Sequence, residues 1–553
     1  MTVLPAADAP IPIFTTLQEL YGSLTIAAKH AGRWDKLVRE FETKFGHKPT
    51  YVARAPGRVN SHDAGEHIDY AHFGVFPAAI EHDILIACAP RPASTATAHP
   101  DHHPPGSVVA ENLQTRYTRQ VFTPTRRHTL GDDVPPDAVR VAPWHLDIDK
   151  SELRWESYVK AGYYGVLNHF FSPSSTCPVP VPVDILVTGT VPPGSGLSSS
   201  AAMVVSSTLA FLAANGIFDG ENAPTKGELV NIAMENERRV GVNSGGMDQS
   251  ASVIALPGSA LYVSFVPSLH AEPIVLPRNA VFVCANRCVQ SARIVSNKAE
   301  SAKHQYNLRV VETLGAARVP LKSSQPPILA RKSGFHRDEQ DAPREDLAQL
   351  RKGLEDILEG NVLDFLLSKV EGRTSITLEE MIEMSGMDEV QFREVYLSWV
   401  DVETTHFELY LRAKHVFEEA LRVLQFREVC LGGGDDEESK LQTLGKLMND
   451  SHESCNKQFD CSHPKVNDLV QVARNFGEVD TGRGKGRVYG SRVTGAGWGG
   501  CIVSLVHRED VDAFIVHVEK GYASYEGMSD EDLAGWVFAT EPGMGACVFR
   551  CTD

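Results

Sequence analysis

The stretch that most constrains this chain is Val191-Pro-Pro-Gly-Ser-Gly-Leu-Ser-Ser-Ser-Ala-Ala202. Ahead of it, Val183-Asp-Ile-Leu-Val-Thr188 is rich in β-branched residues and predicts a buried strand. Behind it, Ala201 to Ala214 is an apolar run too long for an ordinary strand. It predicts a helix closed by Asn215-Gly216. A glycine- and serine-rich turn thus sits where a strand hands over to a helix. That placement gathers free backbone N–H groups and the positive end of a helix dipole at one point, which suits a phosphate group. Gly194 and Gly196 let the backbone come close to a ligand, and the serines offer hydroxyls to phosphate oxygens or a metal. No G-x-x-x-x-G-K-[ST] pattern occurs in the chain, so the loop is not a Walker-type one. A ligand-free Ser/Gly loop fits these residues equally well, and the rest of the chain decides.

The 553 residues suffice for a large core and two or more domains. A net charge of −18 argues against nucleic acid or an anionic membrane as the main partner, though not against a local anion site made of backbone N–H groups. The N-terminus lacks the basic-then-apolar pattern of a secretory signal, and no apolar run is long enough to span a bilayer. The ten cysteines are scattered without histidine at zinc-site spacing, which reads as reduced thiols in a cytoplasmic protein.

Along the chain, residues 13–47 predict a helical lead-in with Leu37, Phe41 and Phe45 on one face. Tyr51 to Asn60 reads as strand, turn and strand, and Ile80 to Ala89 ends as a strand. Residues 91–145 predict strands with long exposed loops, in which His99-Pro-Asp-His-His103 is a solvated cluster rather than a metal site. Trp155 to Leu167 predicts a helix, as does the capping-box spacing that starts at Thr225. Gly241 to Gln249 reads as a loop, Leu256 to Phe265 as turn and strand, and Ala280 to Ala285 as a strand. A domain change is placed near residue 270, dividing the chain into residues 1–269 and 270–553. Pro320 to Pro343 reads as an exposed connection, residues 345–430 as mostly helical, and Gly432 to Glu438 as a flexible acidic loop. Leu441 to Arg474 is helical. Arg492 to Val506 is a glycine-dense turn feeding a strand, Asp510 to Lys520 a helix, and the segments around Val537 and Cys547 are strands.

Besides the opening loop, three segments concentrate chemistry. Gly57-Arg-Val-Asn60 is followed by Gly65-Glu-His-Ile-Asp-Tyr70. Arg58 offers a permanent fork of donors for phosphate or carboxylate oxygens. Glu66, His67 and Asp69 form the kind of donor and acceptor cluster that holds sugar hydroxyls; a surface turn with an Arg–Glu pair is the plainer reading. Gly245-Gly-Met-Asp-Gln249 places an aspartate on compact backbone, either deep in a cleft or in an Asx turn. Gly495-Ala-Gly-Trp-Gly-Gly500 permits a tight backbone under a ligand or against another loop.

Together these segments resemble the galactokinases of the galactokinase, homoserine kinase, mevalonate kinase and phosphomevalonate kinase (GHMP) superfamily, and the fungal branch most. The sugar signature of that family is close to G-R-V-N-L-I-G-E-H-x-D-Y. Its phosphate loop, P-x-G-x-G-L-S-S-S-A, is matched by Pro192 to Ala201, and its third motif, L-T-G-A-G-W-G-G, by Val493 to Gly500. Gly246-Met-Asp-Gln249, Tyr306-Asn-Leu-Arg-Val-Val-Glu312 and Arg412-Ala-Lys-His-Val416 match further segments in the family's order.

The resemblance implies an α+β, two-domain GHMP kinase fold with the active site in the interdomain cleft. It implies Asp248 as the group that accepts or orients the proton of the sugar's anomeric hydroxyl, and Arg58 as the cation that stabilises the transferring phosphoryl group. It implies Ser200 and Glu237 as Mg²⁺ ligands, and Glu66, His67, Asp69, Gly245 and Tyr306 as galactose contacts. Gly194, Ser195, Gly196, Leu197, Ser198, Ser199, Ser200 and Ala201 would cradle ATP. The implied reaction moves the γ-phosphoryl group of ATP to O1 of α-D-galactose.

Two departures stand out. Arg58 and Glu66 are eight residues apart where the family has six, because Ser61-His-Asp-Ala64 replaces Leu-Ile. Ala285 to Lys298 is about five residues longer than the family's A-N-S-L-V-V-S-N-K. Two alternatives stay open at this level: a galactose- and ATP-binding transcriptional inducer that engages a repressor partner, and an N-acetylgalactosamine kinase. The intact Ser198-Ser-Ser-Ala-Ala202 favours catalysis over the inducer.

Overall fold

The computed structural model describes residues 6–60, 66–92, 104–128, 141–149, 154–172, 179–241, 245–266, 268–287, 303–318, 347–359, 375–433 and 436–551, with isolated positions 363, 366 and 373. Both lengthened segments, Ser61–Ala64 and the run after Arg287, lie outside these residues, as do His99–His103 and Pro320–Pro343.

Among the described residues, seven strands form one mixed sheet. They are β1 (Ile13–Phe14), β2 (Tyr51–Val59), β3 (Ala78–Pro90), β4 (Val108–Asn112), β5 (Gln120–Phe122), β8 (Val183–Gly189) and β15 (Cys547–Arg550), in the order β1-β15-β2-β3-β8-β4-β5. The central strands alternate between two cores, as the two-residue period of a strand requires. Ile84, Ile86 and Cys88 of β3 face one side, with Ile185 and Val187 of β8. Leu85, Ala87 and Ala89 face the other, with Val52 and Leu186.

The two faces are covered by different helices. After the short helix α1 (Leu17–Tyr21), α2 (Leu24–Phe45) lays Trp34, Leu37 and Phe41 on one side and stops at Gly46. The sequence-expected helical lead-in is thus a two-strand-residue start and two helices. On the other side lie α3 (Trp155–Phe170), α4 (Ser199–Ala214) and α5 (Lys226–Glu237), the last entered through the expected Thr225 capping box. Helix α4 is buried almost all round between sheet and helices, as its charge-free sequence of small and apolar residues allows.

A second sheet, of four antiparallel strands, joins β11 (Ala280–Asn286), β12 (Val488–Thr494), β13 (Cys501–His507) and β14 (Val537–Thr540) in the order β12-β13-β11-β14. Two hairpins, β6 (Thr125–His128) with β7 (Val141–His145) and β9 (Ser259–Ser264) with β10 (His270–Val275), stand outside the sheets. Helices α6 (Met247–Ile254), α7 (Tyr306–Arg318), α8 (Leu347–Glu359), α9 (Leu378–Ser385), α10 (Glu389–Tyr396), α11 (Leu409–Leu431), α12 (Glu437–Lys457), α13 (Pro464–Asn475), α14 (Val511–Gly521) and α15 (Asp530–Trp536) complete the described elements. None of the described helices is long and apolar enough to cross a membrane.

Three local expectations need correction. Tyr51–Val59 is one strand, not strand, turn and strand: Pro56, with no N–H to give the ladder, sits at a register shift that β2 absorbs as a bulge. Met247-Asp-Gln249 is not loop but the first turn of α6, begun by Gly246 at φ 106°. The acidic run does not stay a loop, since Asp436 caps α12 by accepting from the Ser439 N–H at 2.8 Å, and Glu437 and Glu438 lie in its first turn. A division at residue 270 falls inside the β9–β10 hairpin, and the C-terminal strand β15 returns to pair with β2 in the first sheet.

Candidate active site

Strand β2 carries Arg58 to the point where three segments meet. Its Nε and Nη2 both reach Asp248 Oδ1 at 2.7 Å, its Nη1 donates to the Gly196 carbonyl at 2.6 Å, and its own N–H donates to the Leu197 carbonyl at 3.1 Å. One guanidinium therefore joins the aspartate at the start of α6 to the loop before α4. Burial alone would weaken the charged form of Arg58. The carboxylates of Asp248, Glu66 and Asp69 more than offset it, and the guanidinium is held more firmly protonated than usual.

The loop is shaped by left-handed backbone at Gly194, Gly196 and Ser198. Ser195 points inward: its Oγ donates to the Pro192 carbonyl at 2.7 Å and accepts from the Leu197 N–H at 3.3 Å. Ser198 is the N-cap residue of α4, and its buried hydroxyl has no hydrogen-bond partner among the described residues. Ser199 and Ser200 are half-buried in the first turn, where N–H groups have no intrahelical acceptor. The second glycine loop, between β12 and β13, packs directly against this one. A Cβ on Gly495 would lie 2.3 Å from the Gly196 carbonyl oxygen, and one on Gly500 2.7 Å from that of Ser195.

Beside the Arg58–Asp248 pair lie two further carboxylates. Glu237, at the end of α5, is pushed up to about 7 by burial and then by Asp248, against hydrogen bonds from Ser200 and Gln249 that favour its charged form. Asp69 is pushed up to about 6, again by burial first and Asp248 second. It accepts from the Gly245 N–H at 2.9 Å, and any Cβ on Gly245 would lie 2.5 Å from the Asp69 backbone. A divalent cation suits this charge crowding. Ser200 and Glu237 supply hard oxygens, yet among the described residues no three acidic, histidine or cysteine side chains converge to hold a metal ion. The remaining ligands of an ion there would have to come from bound phosphates and water.

The segment Glu66–Tyr70 forms the opposite wall. His67, at φ 64°, is neutral: burial and then the nearby His415 lower it to about 3. Its Nε2–H donates to the Ala496 carbonyl at 3.1 Å, and its Nδ1 accepts from the Tyr70 hydroxyl at 3.2 Å. Tyr306, at the start of α7, stands with its ring centroid 5.3 Å from that of His67. Burial, Asp69 and Asp248 hold its hydroxyl well above its ordinary pKa, so it stays a donor. Glu66 is turned the other way. Its Oε1 accepts from Arg492 Nη2 at 2.6 Å, the Thr494 hydroxyl at 3.2 Å and the Gly495 N–H at 2.8 Å.

The geometry thus brings Arg58, Asp248, Glu237, Ser200, Asp69, Gly245, His67 and Tyr306 around one cleft. Reading the sequence missed the residues that hold them. Gln249 steadies Glu237, Tyr70 fixes the His67 tautomer, and Arg492 with Thr494 anchors Glu66. Arg492 left a signal, the one charge in its strand, and Tyr70 stood in the quoted signature without a role assigned to it.

Three family models match the chain: the galactokinase galactose-binding signature over residues 39–90, the GHMP kinases N terminal domain over 157–255 and the GHMP kinases C terminal domain over 437–524. The first spans Arg58 and Glu66–Asp69, and the second spans the phosphate loop, Glu237 and Asp248. A galactokinase from Dictyostelium discoideum is 32% identical, the match covering 98% of each chain. One from Saccharomyces cerevisiae is 32% identical, covering 94% of this chain and 95% of its own. Among solved structures, that of Lactococcus lactis galactokinase complexed with galactose has the same fold, with a TM-score of 0.57 at 20% identity over 93% of this chain and 99% of that one.

Proposed function

This chain belongs to the galactokinase family, and on that premise we propose that it transfers the γ-phosphoryl group of ATP to O1 of α-D-galactose, giving galactose 1-phosphate and ADP. The observation that carries the reading is the Arg58 fork, which holds Asp248 on one side and the phosphate loop's Gly196 carbonyl on the other. Both Arg58 contacts fall on Oδ1 of Asp248, so Oδ2 is open to the anomeric hydroxyl, where it accepts or orients the proton. Arg58 lies beside the loop that would receive the nucleotide, so its charge would also balance the phosphoryl group in flight.

The free N–H groups at the start of α4 would bind the phosphates of ATP. Ser200 and Glu237 would hold Mg²⁺ together with those phosphates. Bound there, the ion would supply charge neutralisation between phosphate oxygens. On the sugar side, Asp69, His67, Gly245 and Tyr306 offer an acceptor, a fixed imidazole, a backbone packed close on Asp69 and a hydroxyl donor. Galactokinase relatives and an intact phosphate loop do not favour the inducer reading. The eight described cysteines carry free thiols, which supports a cytosolic location.

The test is a coupled assay with purified protein, ATP, Mg²⁺ and galactose. Galactose-dependent ADP release is expected, and Asp248→Ala is expected to lower kcat by about 10²–10⁴-fold. Binding of both substrates without turnover by the wild type would sink the proposal.

A further inference from the structure

The wall formed by Glu66–Tyr70 is tethered by one side chain from another part of the fold. Arg492, in β12, is wholly buried. Its Nη2 donates to Glu66 Oε1 at 2.6 Å and to the Asn60 carbonyl at 3.5 Å. Asn60 and Glu66 are the two residues that bracket positions 61–65, the stretch whose length departs from the family pattern. The other arm, Nη1, donates to the Ser451 hydroxyl at 2.8 Å in α12 and lies 3.4 Å from Glu419 Oε1 in α11. Ser451 in turn donates to that same Glu419 oxygen at 2.7 Å. His415, on α11, adds a second tie through Nε2 to the Glu66 carbonyl at 3.1 Å.

The planar fork matters here. A guanidinium can grip the two ends of a segment with one arm while the other arm is fixed to a pair of packed helices, whereas an ammonium is a single point charge. Burying such a group adds little stability over apolar packing of the same volume, so its chief consequence is geometric. The same Glu66 oxygen also receives the Gly495 N–H, so the tether sets the sugar wall against the glycine loop.

We infer that Arg492 is a positioning residue for sugar binding: it touches no substrate, but fixes Asn60 and Glu66 and thereby the placement of His67 and Asp69, whatever the number of residues between. The inference rests on the proposed galactose phosphorylation.

The test measures KM for galactose and for ATP, kcat, and the galactose dissociation constant by calorimetry, in wild type, Arg492→Gln, Arg492→Lys and Ser451→Ala. Arg492→Gln is expected to raise both the KM and the dissociation constant for galactose about tenfold or more while KM for ATP stays within about twofold, since a lost anchor misplaces the groups that grip the sugar. Arg492→Lys is expected to recover thermal stability but not galactose affinity, because charge returns without the fork. Ser451→Ala, which loosens the far end of the tether, is expected to weaken galactose binding about threefold.

A folded Arg492→Gln with unchanged galactose affinity, or equal rises in both KM values, overturns the inference. If Arg492→Gln does not fold, unchanged galactose affinity in Ser451→Ala does so instead. A wild type that binds galactose without turnover sinks the proposed activity alone, the calorimetry still deciding the role of Arg492. One that neither binds nor phosphorylates it overturns both.

Discussion

The proposed nucleotide side and the proposed sugar side of this site are built by different means. The loop from Pro192 to Ala201 is one continuous strand-to-helix connection, and what it presents is mostly backbone: N–H groups of α4 and carbonyls held by Arg58. The sugar side has no such continuity. Glu66–Tyr70, Gly245 and Tyr306 come from three distant stretches, and the segment is held by side chains of β12 and α11, through a buried Arg–Glu ion pair and a buried imidazole. A site made of backbone is sensitive to added bulk and indifferent to many side-chain changes. A site made of buried charges is sensitive to protonation and to the loss of a single partner.

The hardest test of the first half is bulk. Gly495→Ala adds a methyl 2.3 Å from the Gly196 carbonyl oxygen and 2.7 Å from its Cα, at a residue with φ 82°. Neither contact is the end of a flexible side chain, so the two loops must part. A shift of about 1 Å near the reacting atoms is expected to lower kcat/KM for ATP about 10²-fold. Steady-state kinetics at saturating galactose measure it. Near wild-type values would mean that the loops slide freely and that the backbone side is not rigid.

That contrast also explains what the sequence made legible. The phosphate loop could be read because its parts are adjacent: a β-branched strand, glycines, serines and an apolar helix follow one another from Val183 to Ala214. Arg58 and Asp248 could be named through the family resemblance. Their direct contact could not be read, because it depends on the Pro56 bulge in β2 and on Gly246 starting a helix where the residues look like loop. The inward orientation of Ser195 was equally hidden, since composition shows a hydroxyl and not its direction. On the sugar side, Glu66 looked like a substrate contact, and only the fold brings Arg492, 426 residues away, onto its carboxylate.

The sugar half is best probed by protons. Asp69, raised to about 6, faces Asp248, Arg58 and Tyr306 and the N–H groups of Gly245 and Tyr70. It is ionised at neutral pH and takes a proton below about 6, losing acceptor capacity toward a sugar hydroxyl. A folded-state pKa above the unfolded one means that this group favours folding below the unfolded value and loses that contribution as pH rises through about 6. Acid therefore removes function here without removing stability through Asp69. The expected result is a fall in kcat/KM for galactose of about tenfold per pH unit below about 6, with circular dichroism unchanged. Asp69→Asn should lower activity at pH 7 and flatten that acid limb. An identical acid limb in the variant would assign it to another group.

The smallest effect is expected where the sequence most suggested a ligand. Ser195 sits in the middle of the phosphate loop, and a hydroxyl there invites the role of phosphate donor. Its Oγ is already spent on the Pro192 carbonyl and the Leu197 N–H, and the residue is 1% exposed. Ser195→Ala removes two turn hydrogen bonds, each worth about 1 kcal/mol, and leaves the N–H groups of α4 where they were. KM for ATP should then change by less than about fivefold, since the lost bonds stabilise the turn itself and only part of their worth passes on to binding. A loss approaching that of Gly495→Ala would mean that Ser195 turns outward when nucleotide arrives. The loop would then work through side chains as the sugar wall does, and the division between the two halves of the cleft would fail at its centre.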